Sequence, residues 1–425
     1  MEKIGNSNSS LSFDEISAKR KVKDGFRVFA NWLFGLMSVA ILIWILTYVF
    51  MSGSSYLSWD FITGDYHSKT LSYKTTESFR IENYNNGEPF TQKEEFEEYP
   101  FSSKYGASFG ITKDLKGKEA VYLVSLEEGS PFFDLFDVNG NGFTYPMEKA
   151  SLDSLIIKNE AGKFETVYGN ASPKEFAAAL DRSISIYDMT FVTFGGGIRG
   201  SLLTTLALIG LTLLFLLPLG IGAAIYLSLY AKGGKITLLI RSLIDLTSGI
   251  PSIIFGLAGA LIFVPFASSI TGGSGGNLLS GALTLTIMLL PVVIKTTEEA
   301  IRAVPRHYMD ASLALGASKT ETIFKVILPN ALGGILTSSL LSVGRIVGES
   351  AALVFAMGAT IGETVSFQSG YSSLAVHIWN VLSGESPAYG QASAIAIIIL
   401  LTVLILNIGV KLISYFLEKK KGKRT

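Results

Sequence analysis

An arginine and a glutamate stand four residues apart inside an apolar stretch of this sequence. Arg345 and Glu349 lie in the run SVGRIVGESAALVF, together with Ser342 and Ser350. On a continuous helix this spacing places both charged groups on one face. A guanidinium presents forked N–H donors that match the oxygens of an oxyanion, so these four residues form a candidate anion site. A fixed ion pair that holds helices together explains the same spacing equally well.

A second candidate site is the polar stretch 310–329, DASLALGASKTETIFKVILP, which lies between two apolar runs. Its apolar positions predict two short helices joined at Gly316, because glycine supplies the positive φ that ends a helix. Ser318 and Glu321 have the spacing of a capping box that begins the second helix. Pro329 is expected to end that helix. A helix pair displayed in this way is suited to binding another protein.

A third pattern fits the twelve-residue calcium loop, with candidate metal ligands Asp137, Asn139, Asn141 and Glu148 and a glycine at the sixth position. Only two of these ligands are carboxylates and no flanking helices are evident, so an Asn-Gly turn between strands is the alternative. The preceding residues 109–131, FGITKDLKGKEAVYLVSLEEGSP, resemble the opening strands of a PDZ domain. The two patterns assign residues 137–148 differently and exclude each other.

The composition of the whole chain is that of an integral membrane protein. Of its 425 residues 48% are hydrophobic and 16% are charged, against about 25% charged in soluble domains. The formal net charge is zero and gives no indication of a nucleic-acid partner. The absence of cysteine from the sequence excludes disulfides, thiolate metal sites and cysteine nucleophiles.

Six apolar runs are long enough to cross a bilayer of about 30 Å. They cover residues 28–51, 201–229, 248–268, 277–295, 331–356 and 391–416. The predicted fold class is therefore an all-α polytopic membrane protein with a large α/β insert, residues 52–197, between the first two helices. The amphipathic segment 235–247 is expected to lie at the membrane interface. The predicted units are a terminal segment 1–27, the first helix 28–51, the insert 52–197, a five-helix membrane core 198–416 with a loop 296–330, and a basic tail 417–425.

Lysine and arginine fix the expected orientation. With the N-terminus inside, the inner segments carry many cations, whereas the short outer loops 269–276 and 357–390 carry none. Both termini are therefore predicted to be cytoplasmic and the insert extracytoplasmic. No phosphate-binding loop, HExxH motif or nucleophile elbow is present in the sequence, so the chain is not expected to be an enzyme or to hydrolyse ATP.

The stretch 310–329 resembles the cytoplasmic loop of ABC-importer permeases, whose pattern is E-A-A, three residues, G, nine residues and I-x-L-P. Asp310, Ser312 and Val326 replace consensus residues, whereas Gly316, Leu328 and Pro329 keep their places. Further runs are similar to the phosphate-specific ABC permease family of the PstA type. They are LPLGIGAAIYLSLYA (217–231), SLIDLTSGIPSIIFGLAG (242–259) and SVGRIVGESAALVFAMGA (342–359).

This resemblance implies the type I importer permease fold in a bacterial inner membrane. It implies that Arg345, Glu349, Ser350 and Ser342 line the phosphate path. Because Arg345 is near the midpoint of the predicted span 331–356, it is expected to lie close to the bilayer midplane. A second implied role, coupling to a separate ATPase, falls on Asp310, Ala311, Gly316, Ile327, Leu328 and Pro329. The implied partners are an ABC ATPase dimer that holds ATP and magnesium, a PstC-type second permease and an extracytoplasmic phosphate-binding protein, besides membrane lipid. Alternatives are a permease for sulfate or molybdate, and a membrane-anchored sensor whose insert binds the ligand.

Overall fold

The computed structural model describes residues 18–76, 78–113, 119–137, 140–145, 150–384 and 387–422. Within these ranges six helices are long and apolar enough to cross a membrane. Their bounds are Lys23–Tyr56, Arg199–Tyr230, Ser252–Thr271, Leu278–Ala303, Lys319–Gly348 and Tyr389–Ile413. Each overlaps one of the six predicted runs, so the expected number of apolar helices is confirmed.

Helix α1 (Ala18–Gly53) is unbroken and begins ten residues before the predicted start at residue 28. Most of its described side chains are exposed, which suits a helix surrounded by lipid. The short helix α2 (Trp59–Thr63) follows, and the Ser58 hydroxyl caps it by accepting the Phe61 N–H at 3.1 Å. Phe61 is fully buried in a cluster with Leu374 and Ile395, which fixes the end of α1 to the later helices.

The insert forms two antiparallel sheets and one helix. Its strands are β1 (Thr70–Lys74), β2 (Phe101–Ser102), β3 (Ala107–Lys113), β4 (Glu119–Leu126), β5 (Phe136–Asp137), β6 (Ala150–Asn159), β7 (Phe164–Tyr168) and β8 (Ser183–Thr193), with α3 (Pro173–Arg182) before β8. One sheet has the order β5-β1-β8-β6-β7 and the other the order β2-β3-β4. All described pairings between these strands are antiparallel, so the arrangement is α+β rather than α/β.

Large aromatic side chains fill the interior of the insert. Phe109, Phe132, Phe176 and Phe191 are at most 1% exposed and belong to one cluster. Ser172 begins α3 by accepting the Glu175 N–H at 3.4 Å, and this helix presses Phe176 onto the sheets. The insert thus builds a hydrophobic core of its own, as its length predicts.

The permease core begins with α4 (Arg199–Ile225), which continues into a π-turn at Tyr226–Tyr230. The helices that follow are α5 (Lys235–Thr247), α6 (Ser252–Thr271), α7 (Leu278–Ala303), α8 (Arg306–Ala314), α9 (Lys319–Thr322), α10 (Leu328–Gly348), α11 (Ala351–Ala356), α12 (Leu374–Ser383) and α13 (Tyr389–Gly422). Helix α7 is the most buried of the spans and packs against α4, α6, α10 and α11. Helix α5 exposes Leu238 and Leu246, in keeping with a helix at the membrane interface.

The fifth predicted span, 331–356, is not one helix. Helix α10 ends at Gly348, Glu349 is extended with ψ 124°, and α11 is a separate short helix. Residues of α11 pack tightly against α6, where an added Cβ at Gly256 would lie 2.7 Å from the Ala352 backbone. This contact joins segments far apart in sequence. It holds α11 in a direction that differs from the axis of α10.

Candidate functional site

The predicted helix pair in 310–329 is present. Helix α8 ends before Gly316, whose φ of +88° is the left-handed conformation that glycine adopts freely. Ser318 and Glu321 form the predicted capping box: the Ser318 hydroxyl accepts the Glu321 N–H at 3.2 Å, and the Glu321 carboxylate accepts the Ser318 N–H at 3.1 Å. The Ser312 and Thr322 hydroxyls lie 2.9 Å apart and join the two helices.

The expectation that Pro329 ends the second helix is wrong. The chain passes from α9 through a π-turn, Ile323–Ile327, directly into α10. In this turn the Leu328 N–H donates to the Ile323 carbonyl, and the Asn330 side-chain amide donates to the Val326 carbonyl at 2.7 Å. The wider turn and the asparagine together accommodate a proline that brings no N–H of its own.

The residues expected to couple to an ATPase divide into two groups. Asp310, Ala311 and Gly316 are exposed at the tip of the helix pair. At its base Ile327 is buried at 4% exposure, with Leu328 and Pro329 partly buried beside it, so these residues pack the pair onto the membrane helices. Leu315 next to Gly316 is 90% exposed. Such an apolar side chain at the tip of the pair is available to a partner, and the sequence pattern did not single it out.

Arg345 lies on the exposed face of α10 and is the only charged residue of that helix. Its neighbours on this face are Leu341, Gly344 and Gly348, whereas Val343, Ile346 and Val347 pack into the core on the opposite face. Within the described residues no hydrogen bond or ion pair engages the Arg345 guanidinium. All of its N–H donors are therefore free to bind a ligand or a facing chain.

The depth of Arg345 follows from the antiparallel packing of α7 and α10. Gly334 of α10 lies against Ala300 of α7. Position 345 is eleven residues further along α10, and an equal rise along α7 leads back to Leu289. Since α7 runs from Leu278 to Ala303, Leu289 is near its middle. Arg345 is thus at the end of its own helix but near the middle of the bundle.

Glu349 does not share a helical face with Arg345, because α10 ends before it. Its carboxylate instead accepts the Ala352 N–H at 3.2 Å and caps α11. Ser350 is half-buried at the same break. Ser342 is 1% exposed, and its hydroxyl donates to the Ser338 carbonyl at 3.0 Å. Ser342 is thus buried beside the exposed face that carries Arg345, and its place on the phosphate path stays a prediction.

A carboxylate on the loop after α11 fastens the insert to the permease core. Glu363 accepts the backbone N–H groups of Tyr66 at 3.0 Å and His67 at 2.8 Å, and its Oε1 lies 2.8 Å from the His67 ring nitrogen. Asp65 nearby pairs with Lys69 and Arg199. Burial raises the pKa of Asp65, but the Lys69 hydrogen bond and the Arg199 charge outweigh it and leave the pKa below its ordinary value.

Another ion network was missed by the sequence reasoning. Glu298 of α7 is 8% exposed and accepts from Arg302 at 2.8 Å and from Arg241 of α5 at 2.5 Å. The four-residue spacing of Glu298 and Arg302 was a signal for their pairing. No local sequence pattern predicts the pairing of Glu298 with Arg241, which is 57 residues away.

Asp137 and Asn141 of the predicted calcium loop bond to each other. The Asp137 carboxylate accepts the Asn141 N–H at 2.8 Å and its side-chain amide at 3.0 Å. Asn139 and Glu148 lie outside the described residues. Among those described, no group of three or more His, Asp or Glu is placed to hold a metal ion. Calcium binding therefore stays a prediction, as does the PDZ resemblance.

Residues 216–423 match the family of binding-protein-dependent transport system inner membrane components. A probable ABC transporter permease protein, YqgI of Bacillus subtilis (strain 168), is 36% identical over 244 residues, which cover 54% of this chain and 81% of that protein. The phosphate transport system permease protein PstA of Pasteurella multocida (strain Pm70) is 32% identical over 236 residues, with coverages of 54% and 81%. The family match begins at residue 216 and leaves the insert outside it.

Among solved structures, an inward-facing conformation of the MetNI methionine ABC transporter aligns with 52% of this chain and 95% of the solved one. The sequence identity of this pair is 21% and the TM-score is 0.42.

Proposed function

Since this chain belongs to the permease family of binding-protein-dependent ABC transport systems, we propose that it is one permease subunit of an ATP-driven importer of inorganic phosphate. Members of this family are multi-pass inner-membrane subunits rather than enzymes, and membership implies an ATPase and a substrate-binding protein as partners. The relatives named as phosphate permeases support the choice of phosphate. Membership also favours a permease over a membrane-anchored sensor.

The observation that carries the proposal is Arg345, which lies at mid-depth on an exposed apolar helix face and has no partner among the described residues. An arginine at the centre of a membrane helix costs about 2.5–3.5 kcal/mol on insertion scales, so such residues face a polar path or a partner. A second permease chain of the PstC type packed against this face would enclose the path. Phosphate passing along it exchanges its water shell for the forked N–H donors of the guanidinium.

Glu349 and Ser350 belong to the proposed path in a changed role. At the break between α10 and α11 the Glu349 carboxylate caps a helix rather than pairing with Arg345. A negative charge close to the break favours release of a bound anion, and a break between two helices is where a gate can move. Binding at Arg345 followed by movement of α11 would pass phosphate across the middle of the bundle.

The helix pair 306–327 is the proposed contact with an ABC ATPase dimer. Its tip exposes Leu315 beside Asp310 and Ala311, which gives a partner both an apolar anchor and a charge. Its base runs without a break into α10. A displacement of the tip by the ATPase would therefore be transmitted to Arg345 along one helix. This arrangement requires cytoplasmic termini and an extracytoplasmic insert, as the distribution of lysine and arginine predicts.

The test is uptake of radiolabelled phosphate into proteoliposomes that hold this chain with its ATPase, second permease and binding protein. We expect Arg345→Gln to abolish uptake while the complex still assembles, because the neutral amide lacks the charged fork. Lys411→Gln, which removes an exposed cation near the end of α13, is the matched control and is expected to leave uptake unchanged.

Excess sulfate and molybdate serve as competitors in the same assay. Full uptake by the Arg345→Gln variant would disprove the role of this residue. Uptake that is blocked by sulfate as effectively as by unlabelled phosphate would assign the permease to another oxyanion, since tetrahedral oxyanions fit one guanidinium equally well.

A further inference from the structure

A second arginine-rich feature is a cavity at the end of the bundle that carries the helix pair. Its volume is approximately 650 Å³, within the range of small-molecule sites. The cavity lies between the π-turn after α4, helix α5, the end of α7 and the start of α8. The polar side chains that line it are Ser228, Arg241, Arg302, Arg306 and Asp310. We call it the inner cavity.

The guanidinium groups of the inner cavity have N–H donors that make no hydrogen bond within the described residues. Arg241 bonds through one nitrogen to Glu298 and to the Leu227 carbonyl, and Arg302 bonds through one nitrogen to Glu298. Within the described part of the chain Arg306 makes no hydrogen bond or ion pair. The three guanidinium groups therefore outnumber the two carboxylates near them, those of Glu298 and Asp310. The shared Glu298 holds two of the guanidiniums in place without using all their N–H groups.

Two π-turns contribute to the wall of the inner cavity. Ser228 lies in the π-turn Tyr226–Tyr230, with its Oγ buried behind the wall, and the second π-turn contributes Ile327. Turns of this type recur at functional sites.

We propose that the inner cavity binds a phosphate group. Arg241, Arg302 and Arg306 line the cavity and supply the charged donors. Asp310 accepts a hydrogen bond from the protonated oxygen of hydrogen phosphate, a bond that fully ionised sulfate lacks. The ligand would bridge α5 and α7 to the start of α8 and hold the helix pair in one position. On the proposed function, imported phosphate would thereby restrain its own transport.

The first experiment measures equilibrium binding of radiolabelled inorganic phosphate to the full complex in phosphatidylcholine nanodiscs, without ATP and without the binding protein. We expect Arg306→Gln to weaken binding by about tenfold, in line with the loss of one charged hydrogen bond. Lys235→Gln removes an exposed cation of α5 outside the cavity and is expected to bind within about twofold of the unaltered complex.

Nanodiscs that contain phosphatidylglycerol separate the two sources of a phosphate group. Free phosphate binding that persists in them supports inorganic phosphate as the ligand. Binding that these lipids displace, with the same sensitivity to Arg306→Gln, supports the site with a lipid headgroup as its occupant. Equal phosphate binding by the Arg306→Gln and Lys235→Gln complexes would overturn the proposal.

The transport assay keeps this inference separate from the proposed function. Arg345→Gln is expected to abolish uptake but to retain the binding that depends on Arg306. If the unaltered complex imports no phosphate while Arg306-dependent binding remains, the importer proposal fails and the inner cavity stands. If uptake occurs and Arg306→Gln leaves binding unchanged, only the inner cavity is disproved.

Discussion

Among the described residues the largest fully buried side chains lie in the insert, whereas many large apolar side chains of the membrane core are exposed. Phe132 and Phe176 of the insert are fully buried between the two sheets and α3. On α6, Leu257 and Leu261 are 52% and 71% exposed, and the buried positions of this helix are Gly256, Gly259 and Ala267. The core of the insert is thus filled by large side chains, whereas α6 packs through the close approach of small residues.

The two regions therefore require different surroundings. The insert encloses a core of large apolar side chains, as a domain in water must, although Phe164 and Tyr187 are exposed. The membrane core leaves apolar faces for lipid and for a partner chain, and on one such face it places the charge of Arg345. Substitutions should therefore act through lost volume in the insert, and through added volume or altered charge in the membrane core.

Phe132→Ala in the insert is expected to have the largest effect on stability. Removal of a fully buried aromatic ring costs about 3–5 kcal/mol, which for a domain of this size is a large share of its folding free energy. Limited proteolysis of the full chain in membranes should then cut the insert and spare the helices. The measurement is the rate at which fragments from 52–197 appear.

Phe133→Ala is the matched control, since this neighbouring ring is 44% exposed. Its loss should change the cleavage rate little. Equal cleavage of the two variants would mean that the insert does not depend on its aromatic core, and the contrast with the membrane helices would then be lost.

Gly256→Leu should be next in size and acts through added volume. A Cβ at this position would lie 2.7 Å from the Ala352 backbone, so α11 must shift to make room. We expect a loss of about 3 kcal/mol, at the upper end of the overpacking range, with α11 displaced from α6. Thermal unfolding of the detergent-purified complex measures the loss.

Gly210→Leu on α4 adds the same volume where no atom lies within 4 Å of the new Cβ. A midpoint close to that of the unaltered chain is expected for this variant. If both variants unfolded at the same temperature, the loss would come from helix propensity and bulk, and close approach at α11 would not be the cause.

Glu363→Gln tests the junction at which the two regions meet. The neutral amide keeps one acceptor oxygen but loses the charge that attracts the Tyr66 and His67 N–H groups. A loss of about 1–2 kcal/mol is expected, because hydrogen bonds to charged groups are the stronger ones. Hydrogen exchange at these two amides should quicken, whereas Glu95→Gln on the exposed surface of the insert should leave it unchanged. Unchanged exchange in the Glu363 variant would show that the junction does not rest on this carboxylate.

Local patterns in the sequence predicted local structure well. The six apolar runs, the capping box of Ser318 and Glu321 and the turn at Gly316 depend on residues within a few positions of each other, and each is present. Bounds were less accurate, since α1 starts at Ala18 rather than at residue 28. Helical propensity does not stop at a membrane surface, so a polar segment before an apolar run can continue its helix.

Contacts between distant segments were beyond the sequence patterns. The break after Gly348 accompanies the packing of Ala352 on Gly256, about a hundred residues earlier, and it removes the helical face expected for Arg345 and Glu349. The pairing of Arg241 with Glu298 likewise depends on how α5 lies against α7. In both cases tertiary packing selected one of several partners that the sequence allowed.

Ser318→Ala should have the smallest effect, because it alters one cap on an exposed segment. The alanine cannot accept the Glu321 N–H, and a lost cap of this kind costs about 1 kcal/mol. The amides of α9 should exchange roughly fivefold faster, while those of α8 keep their rate. Thr320→Ala removes a hydroxyl that lies 3.2 Å from the Tyr230 hydroxyl and does not cap the α9 backbone, so it serves as the control. If the α9 amides of the Ser318 variant exchanged as slowly as those of the unaltered chain, the helix pair would be held by the membrane helices at its base rather than by its own turn. Its tip would then respond to a partner only together with α10.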